Sequence, residues 1–350
     1  MTATRFFLGS NTPRGFRDTT AGLYDPADGW RVYLLKGGAG SGKSTLLRRV
    51  VSQARDAEIF LCSSDPASLD GVRLPNKRIL VLDATAPHVV EPRYWGSCER
   101  LLPLSLCADD EVLFSERDRL RELSDRCHAL HLQARQQLSC AATALAEREK
   151  SLRGAVDNTA IAAYADRLAA TEFEPQPTVG SEERRMLCAL TPQGVYPLFE
   201  TAQALCPRLF AIVDEGGVAH PLLQRLRQSA LTAGLRVITS PSVLFPDRLE
   251  QLLLPDVGTA FLTTDAQTPI DFPVYRRIHT TRFVESETLH EHRNKRALLQ
   301  RTADACLADA ATAIQQAKAV HDELELLYTA AMDWDAVQRT GDELLCRLFG

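Results

Sequence analysis

The chain has 350 residues, 45% of them hydrophobic, enough for two or three domains with sizeable cores. Its formal net charge is −5, and Lys and Arg are not gathered into one block, so no nucleic-acid surface is indicated. Nine scattered cysteines, an odd number without a C-x-x-C pair, argue against a disulfide framework or zinc ribbon and for a reducing compartment.

Met1 to Arg5 lead into only three apolar residues, Phe6 to Leu8, which is too few for a signal peptide. No apolar run approaches the roughly 18 residues needed to span a bilayer. The expected setting is cytoplasmic, with no membrane partner.

Val32-Tyr33-Leu34-Leu35 then reads as a β-strand. It runs into Gly37-Gly38-Ala39-Gly40-Ser41-Gly42-Lys43-Ser44-Thr45, which fits G-x-x-x-x-G-K-[ST], the phosphate-binding P-loop. Leu46 to Val51 follow with apolar residues at helical spacing. Glycines let successive N–H groups curl toward one phosphate, and the helix adds its positive N-terminal end. Lys43 is expected to reach the β- and γ-phosphates, and the Ser44 hydroxyl to ligate Mg²⁺. The expected ligands are ATP and Mg²⁺. GTP has no support, because Asn76-Lys77-Arg78-Ile79 is not the guanine-reading Asn-Lys-x-Asp.

The strand Ala57 to Leu61 ends in Cys62-Ser63-Ser64-Asp65. Asp65 is a candidate base or water orienter, ahead of Asp70; Cys62 has no sequence-adjacent base and reads as a core cysteine. Ile79-Leu80-Val81-Leu82-Asp83 is a continuous apolar run, as expected of a buried parallel strand whose C-terminal end opens on a ligand crevice. Asp83 is thus the Walker B candidate that would hold Mg²⁺ opposite Ser44. Ala84 follows it, so the Asp-Glu pair of a vigorous ATPase is missing. His88 could contact the γ-phosphate. Arg93 reads as a surface residue. The catalytic candidates are therefore Lys43, Asp83, Asp65 and His88.

Helical patterning fills about 109–170, with a stripe at Leu123, Cys127, Leu130, Ala134, Leu138 and Ala141. The same stripe recurs 176 residues later at Leu299, Ala303, Cys306, Ala310, Ile314 and Ala317, inside a second helical stretch at about 286–348. Other features repeat as well. Thr12-Pro13-x-Gly15 returns as Thr191-Pro192-x-Gly194, Arg31 to Leu35 as Arg208 to Ile212, and Asp157, Asp166, Leu168 and Phe173 as Asp333, Asp342, Leu344 and Phe349. The duplication predicts two α/β P-loop NTPase-like cores with parallel sheets, in residues 1–175 and 176–350, each with a long helical appendage. The stripes either pair the appendages with each other or pack each on its own core.

The second loop, Asp214-Glu215-Gly216-Gly217-Val218-Ala219-His220-Pro221, has lost Gly-Lys-Ser, with His220 and Pro221 near the places of Lys and Ser/Thr. Two acids stand where a polyphosphate would sit, so this copy is expected to be degenerate. A rival reading makes Leu209 to Glu215 a Walker B strand of one large domain, with Glu215 polarising water. The repeat opposes it.

With these residues in hand, the chain resembles a family of uncharacterised bacterial tandem P-loop ATPase-like proteins found notably in Firmicutes. The resemblance rests on Thr12-Pro13-x-Gly15-Phe16, Lys36-Gly37-Gly38-x-Gly40-x-Gly42-Lys43-Ser44-Thr45, Cys62-Ser63-Ser64-Asp65 and Asp83-x-Thr85-x-Pro87-His88, and covers the whole chain. It implies two intact loops; this chain departs from that in its second half. The expected function is ATP binding with slow Mg²⁺-dependent hydrolysis, relayed through the appendages to a protein partner. Alternatives are a small-molecule kinase using Asp65 as base, with a metabolite as phosphate acceptor, and a non-catalytic nucleotide-dependent scaffold.

Overall fold

The computed structural model describes residues 4–350. In chain order the first half contributes β1 (Thr4–Phe7), β2 (Gly9–Thr12), β3 (Gly15–Asp18), β4 (Arg31–Lys36), α1 (Lys43–Gln53), β5 (Glu58–Leu61), β6 (Leu69–Leu74), β7 (Ile79–Asp83) and β8 (Glu99–Pro103), then the helices α2 (Asp110–Ser115), α3 (Arg117–Lys150) and α4 (Asn158–Glu172). The second half repeats the series with β9 (Ser181–Arg184), β10 (Cys188–Thr191), β11 (Gly194–Pro197), α5 (Phe199–Leu205), β12 (Arg208–Val213), α6 (Ala219–Thr232), β13 (Arg236–Pro241), β14 (Leu249–Leu254), β15 (Thr259–Thr264) and β16 (Arg276–His279). It closes with α7 (Ser286–Glu291), α8 (Arg293–Ala331) and α9 (Trp334–Phe349). Among the described residues, no helix is long and apolar enough to cross a membrane.

Each half builds a six-stranded sheet, in the orders β1-β5-β6-β7-β4-β8 and β9-β13-β14-β15-β12-β16. The two orders match strand for strand. The sheets are mixed, which corrects the expectation of purely parallel cores. In the first, β6 runs antiparallel to both β5 and β7; in the second, β14 does the same between β13 and β15. The connections explain it. The links from β5 to β6 and from β6 to β7 are short loops, and a parallel return would need a crossover of a dozen or more residues. The other neighbour pairs are parallel.

Central strands read apolar because both faces are covered. Val32, Tyr33, Leu34 and Leu35 of β4 are all buried, as are Leu80, Val81 and Leu82 of β7. In the second sheet Phe210 stacks on Phe261 at 4.8 Å, and Phe173 meets Phe261 edge-on. Each such ring contributes roughly 1.5–3 kcal/mol by leaving water. The repeated turns are built alike: the Thr12 hydroxyl donates to Gly15 O at 2.7 Å, the Thr191 hydroxyl to Gly194 O at 3.0 Å, and both glycines have φ +108°.

The chain folds into two compact units that are interleaved in sequence. One comprises residues 1–10, 16–134 and 312–350; the other comprises 11–15 and 135–311. A cut at 175 therefore falls inside the second unit. The cause is helix length: α3 has 34 residues and α8 has 39, and each begins in one unit and ends in the other.

Helices of one half consequently pack on the sheet core of the other. Within the first unit, α9 lies on α1, with an Asp342–Arg49 ion pair; Leu123 of α3 meets Val320 and Leu324 of α8. Within the second, α4 lies on α6, with Asp166 accepting two hydrogen bonds from Arg225 at 2.7 and 3.0 Å. The same exchange is written in the backbone. Asp333 N donates to Cys107 O at 2.7 Å, and Asp157 N, 176 residues earlier, donates to Phe283 O at 2.9 Å. Asp157 and Asp333 also cap α4 and α9 through their side chains. Packing of each appendage on its own core is thus not what the chain does. The rival single-domain reading fails too, since β12 is a central strand of its own sheet.

Candidate functional site

The central position of β4 between β7 and β8 fixes where its C-terminal end opens. The chain leaves β4 through Gly37 to Gly42 and enters α1 at Lys43. Gly40 and Gly42 have φ of +65° and +89°, a region that disfavours any Cβ. Packing adds a second demand. A Cβ on Gly38 would lie 2.6 Å from the Tyr328 ring, and one on Gly40 would lie 2.6 Å from Thr329 Oγ1 and 2.8 Å from Glu325 O. A Cβ on Gly42 would press on Val337 and Trp334 at 3.2 and 3.3 Å. The last turns of α8 and the start of α9 therefore lie directly against the loop. Ala39 packs against the Leu123 cluster, the buried Ser41 donates to Gly38 O at 2.9 Å, and Thr45 is exposed.

Lys43 Nζ donates to Gly37 O at 2.8 Å and Gly38 O at 2.7 Å, and stands 3.7 Å from the Asp83 carboxylate. Parallel pairing of β4 with β7 brings these groups together, placing Leu35 opposite Asp83. Burial pushes the Asp83 pKa up and the Asp70 charge adds to this, against the opposing pull of Lys43 and the Thr85 N–H. Thr85 ties the two strand ends: its N–H donates to Asp83 at 2.8 Å and its hydroxyl to Gly37 O at 3.2 Å. Ser44 Oγ accepts the Leu69 N–H at 3.0 Å. Ser44 and Asp83 are hard oxygen donors on adjoining elements, a donor set that fits Mg²⁺.

The remaining candidates divide. Asp65 caps its own turn, accepting from the Ser68 hydroxyl at 2.8 Å and the Ala67 N–H at 3.4 Å. Asp70, ranked lower by sequence, is buried and stands at 2.9 Å from Nε2 of the buried His88. The N–H of that ring is not aligned for a hydrogen bond, and Nδ1 has no hydrogen-bond partner among the described residues. Burial works against the charged imidazole; Asp70 at contact, with Asp83 and Asp18 beyond it, outweighs this and raises the His88 pKa. Residues 70 and 88 are brought together only by strand β6, so nothing in their spacing announced the pair. Arg93 is exposed. Burial holds the Cys62 thiol protonated, and none of the nine cysteines is in a disulfide. Asn76 binds Asp56, while Lys77 donates to Leu348 O and lies over the Phe349 ring, so both serve packing. The exposed His321 and Asp322 and the half-buried Glu325 on α8 come close together, but Asp322 is paired with Lys318 and His321 with Glu325, as expected of a helix surface.

The equivalent loop of the second unit is filled by the protein's own acids. Asp214 accepts from Gly216 N at 3.3 Å, Val218 N at 3.0 Å and the Thr280 hydroxyl at 3.2 Å. Glu215 is held by Arg148 at 2.6 Å and Arg296 at 3.0 Å. The Glu149 carboxylate lies 2.8 Å from where a Cβ on Gly217 would be. His220 Nδ1 accepts the Leu249 N–H at 2.9 Å, just as Ser44 accepts that of Leu69. His220 therefore stands in the place of Ser44 and Ala219 in that of Lys43, one position away from the sequence estimate. Strand pairing sets Thr263 opposite Ile212 where the first sheet sets Asp83 opposite Leu35.

No protein-family model, no curated protein and no solved structure matches this chain.

Proposed function

We propose that the first unit binds a nucleoside triphosphate at Gly37–Thr45, with ATP favoured by elimination, and hydrolyses it slowly. The observation that carries this reading is Lys43 folded onto the Gly37 and Gly38 carbonyls, 3.7 Å from Asp83 at the end of the adjacent parallel strand. Loop amides, the α1 N-terminus and Lys43 supply positive charge where a triphosphate is negative. Ser44 and Asp83 would hold Mg²⁺, which on binding would neutralise phosphate charge. Because Asp83 lacks a following glutamate, a slow turnover is expected. The resemblance to tandem P-loop ATPase-like proteins points the same way.

The packing of Tyr328, Thr329 and Trp334 on the loop supports the second part of the reading. A ligand that reshapes the loop acts differently on those contacts in the bound and free states, so α8 and α9 would carry nucleotide state to a protein partner. Phosphoryl transfer to a small-molecule hydroxyl is the second reading. It is favoured by the Asp70–His88 pair, since Asp65 is engaged in its turn.

The test is titration calorimetry with ATP, with and without Mg²⁺, together with phosphate release, on the wild type and Lys43→Ala. Wild type should bind and turn over ATP, and Lys43→Ala should lose about 100-fold or more in turnover. A wild type that does not bind ATP overturns the reading. A wild type that binds without turnover leaves the scaffold alternative. Protease cleavage within residues 293–349 should change on adding MgATP.

A further inference from the structure

In the second unit a cavity of about 490 Å³ opens at the ends of β12 and β15, at the place the nucleotide loop holds in the first. Such a volume is in the range of small-molecule sites. Its polar wall includes Asp214, His220, Glu250, Thr263 and Asp265; its apolar wall includes Val195, Val243, Leu244, Ile270 and Leu307. We propose that this cavity is a binding site for a small organic cation, a protonated amine carried on an apolar body.

Charge excludes the ancestral type of ligand. Ala219 replaces the phosphate-binding lysine, and Asp214 already takes the loop N–H groups. Five acids line the cavity against three arginines, and the arginines are engaged. Arg148 pairs with Glu215 at 2.6 Å, Arg248 with Glu149 at 2.7 Å, and Arg277 donates to Ile270 O at 2.7 Å. A triphosphate entering here would meet more acids than arginines, and two of the three arginines are already paired with carboxylates.

The demand for a cation is specific. Glu250, on β14, has no Lys, Arg or His within ion-pair distance among the described residues. Burial, together with the negative charges of Asp265 beyond β15 and Asp214 beyond β12, pushes its carboxyl up to about 8, against a hydrogen bond with Ser242. Of the other charged groups in the cavity wall, Arg148 pairs with Glu215 and Arg248 with Glu149, Arg277 donates to the Ile270 carbonyl, and burial lowers the His220 pKa, so that ring is neutral. The Thr263 hydroxyl, in the place of Asp83, is buried without a hydrogen-bond partner among the described residues. An ammonium donates several N–H bonds: it can use Glu250 and Thr263 together, while its hydrocarbon part covers the Val243, Leu244 and Ile270 side.

Three probes that share a phenylethyl body test the sign of the charge on the full chain: phenethylamine, 2-phenylethanol and 3-phenylpropanoate, each titrated calorimetrically. The amine should bind about tenfold or more tighter than the alcohol, and the carboxylate more weakly than either. Amine binding at pH 7 should release protons, since a cation beside Glu250 ionises it. Its affinity should rise by up to about tenfold per pH unit toward pH 8 and then level. Glu250→Gln, and separately Asp265→Asn, should shrink the preference for amine over alcohol several-fold. Equal affinities for amine and alcohol, tighter binding of the carboxylate, or no binding of any probe overturns the assignment. So does an unchanged preference in a folded Glu250→Gln protein. The wild-type series decides the question even if a variant does not fold.

Discussion

The two loops began from one design and now meet negative charge in opposite ways. In the first, the cation is internal: Lys43 rests on two loop carbonyls and faces Asp83. In the second, the anion is internal: Asp214 takes the loop N–H groups and Glu149 lies over Gly217. The strand orders and the Thr–Gly turns of the two halves match, and the helix after each loop is covered by a helix of the other half. A scaffold can thus keep its fold while a few substitutions reverse the charge that lines its crevice, because the fold is held by apolar strands and the crevice is lined by a handful of polar groups.

Exchange of those groups should break the comparison unequally. The largest effect belongs to Lys43→Ala, and in that background Ala219→Lys should fail to restore ATP binding, because the new ammonium would pair with Asp214. Calorimetry reads both, and recovery of affinity in the double variant would show that the second loop is not blocked from within. A smaller effect concerns the cover on the first loop. Gly38→Ala should destabilise the protein by about 1–3 kcal/mol, since its Cβ would lie 2.6 Å from the Tyr328 ring. Tyr328→Ala should reduce that penalty when the two are combined; additive urea midpoints would mean that the ring does not press on the loop.

The smallest effect is a pH dependence. The folded-state pKa of His88 is raised above 6.5, so its pairing with Asp70 stabilises the fold fully below pH 6.5 and is lost as pH rises through the folded value. The gap in melting temperature between wild type and His88→Gln should therefore be widest near pH 6 and narrow toward pH 8. A gap constant with pH would show that His88 is not charged in the fold.

Much of this was legible in the chain. Gly37 to Thr45 between an apolar strand and a helix located the first loop, and the constant offset of 176 paired Asp157 with Asp333 and Asp166 with Asp342 as corresponding contacts. Asp70 was underrated because its partner, His88, is 18 residues away and meets it only through an antiparallel strand. That strand was itself unexpected, since Leu69-Asp70-Gly71-Val72-Arg73-Leu74 is interrupted by Asp, Gly and Arg and carries no continuous apolar signal. His220 was placed one position off because the strand before the loop repeats at 177 (Arg31 to Arg208) and the helix after it at 176 (Leu46 to Leu222), and the matching hydrogen bonds from Leu69 and Leu249 decide which holds at the loop.

Local physics determined the strands, the glycine turn and the helical stripes, since each follows from residue type and spacing within a short window. The tertiary structure decided which helix covers which core, and so which side chains lie on the loops. A stripe such as Leu123, Cys127 and Leu130 specifies that a helix will bury one face, but any apolar surface of suitable shape satisfies it. Only the reach of α3 and α8, with the repeated Asp–Arg pairs on α1 and α6, selects the core of the other half.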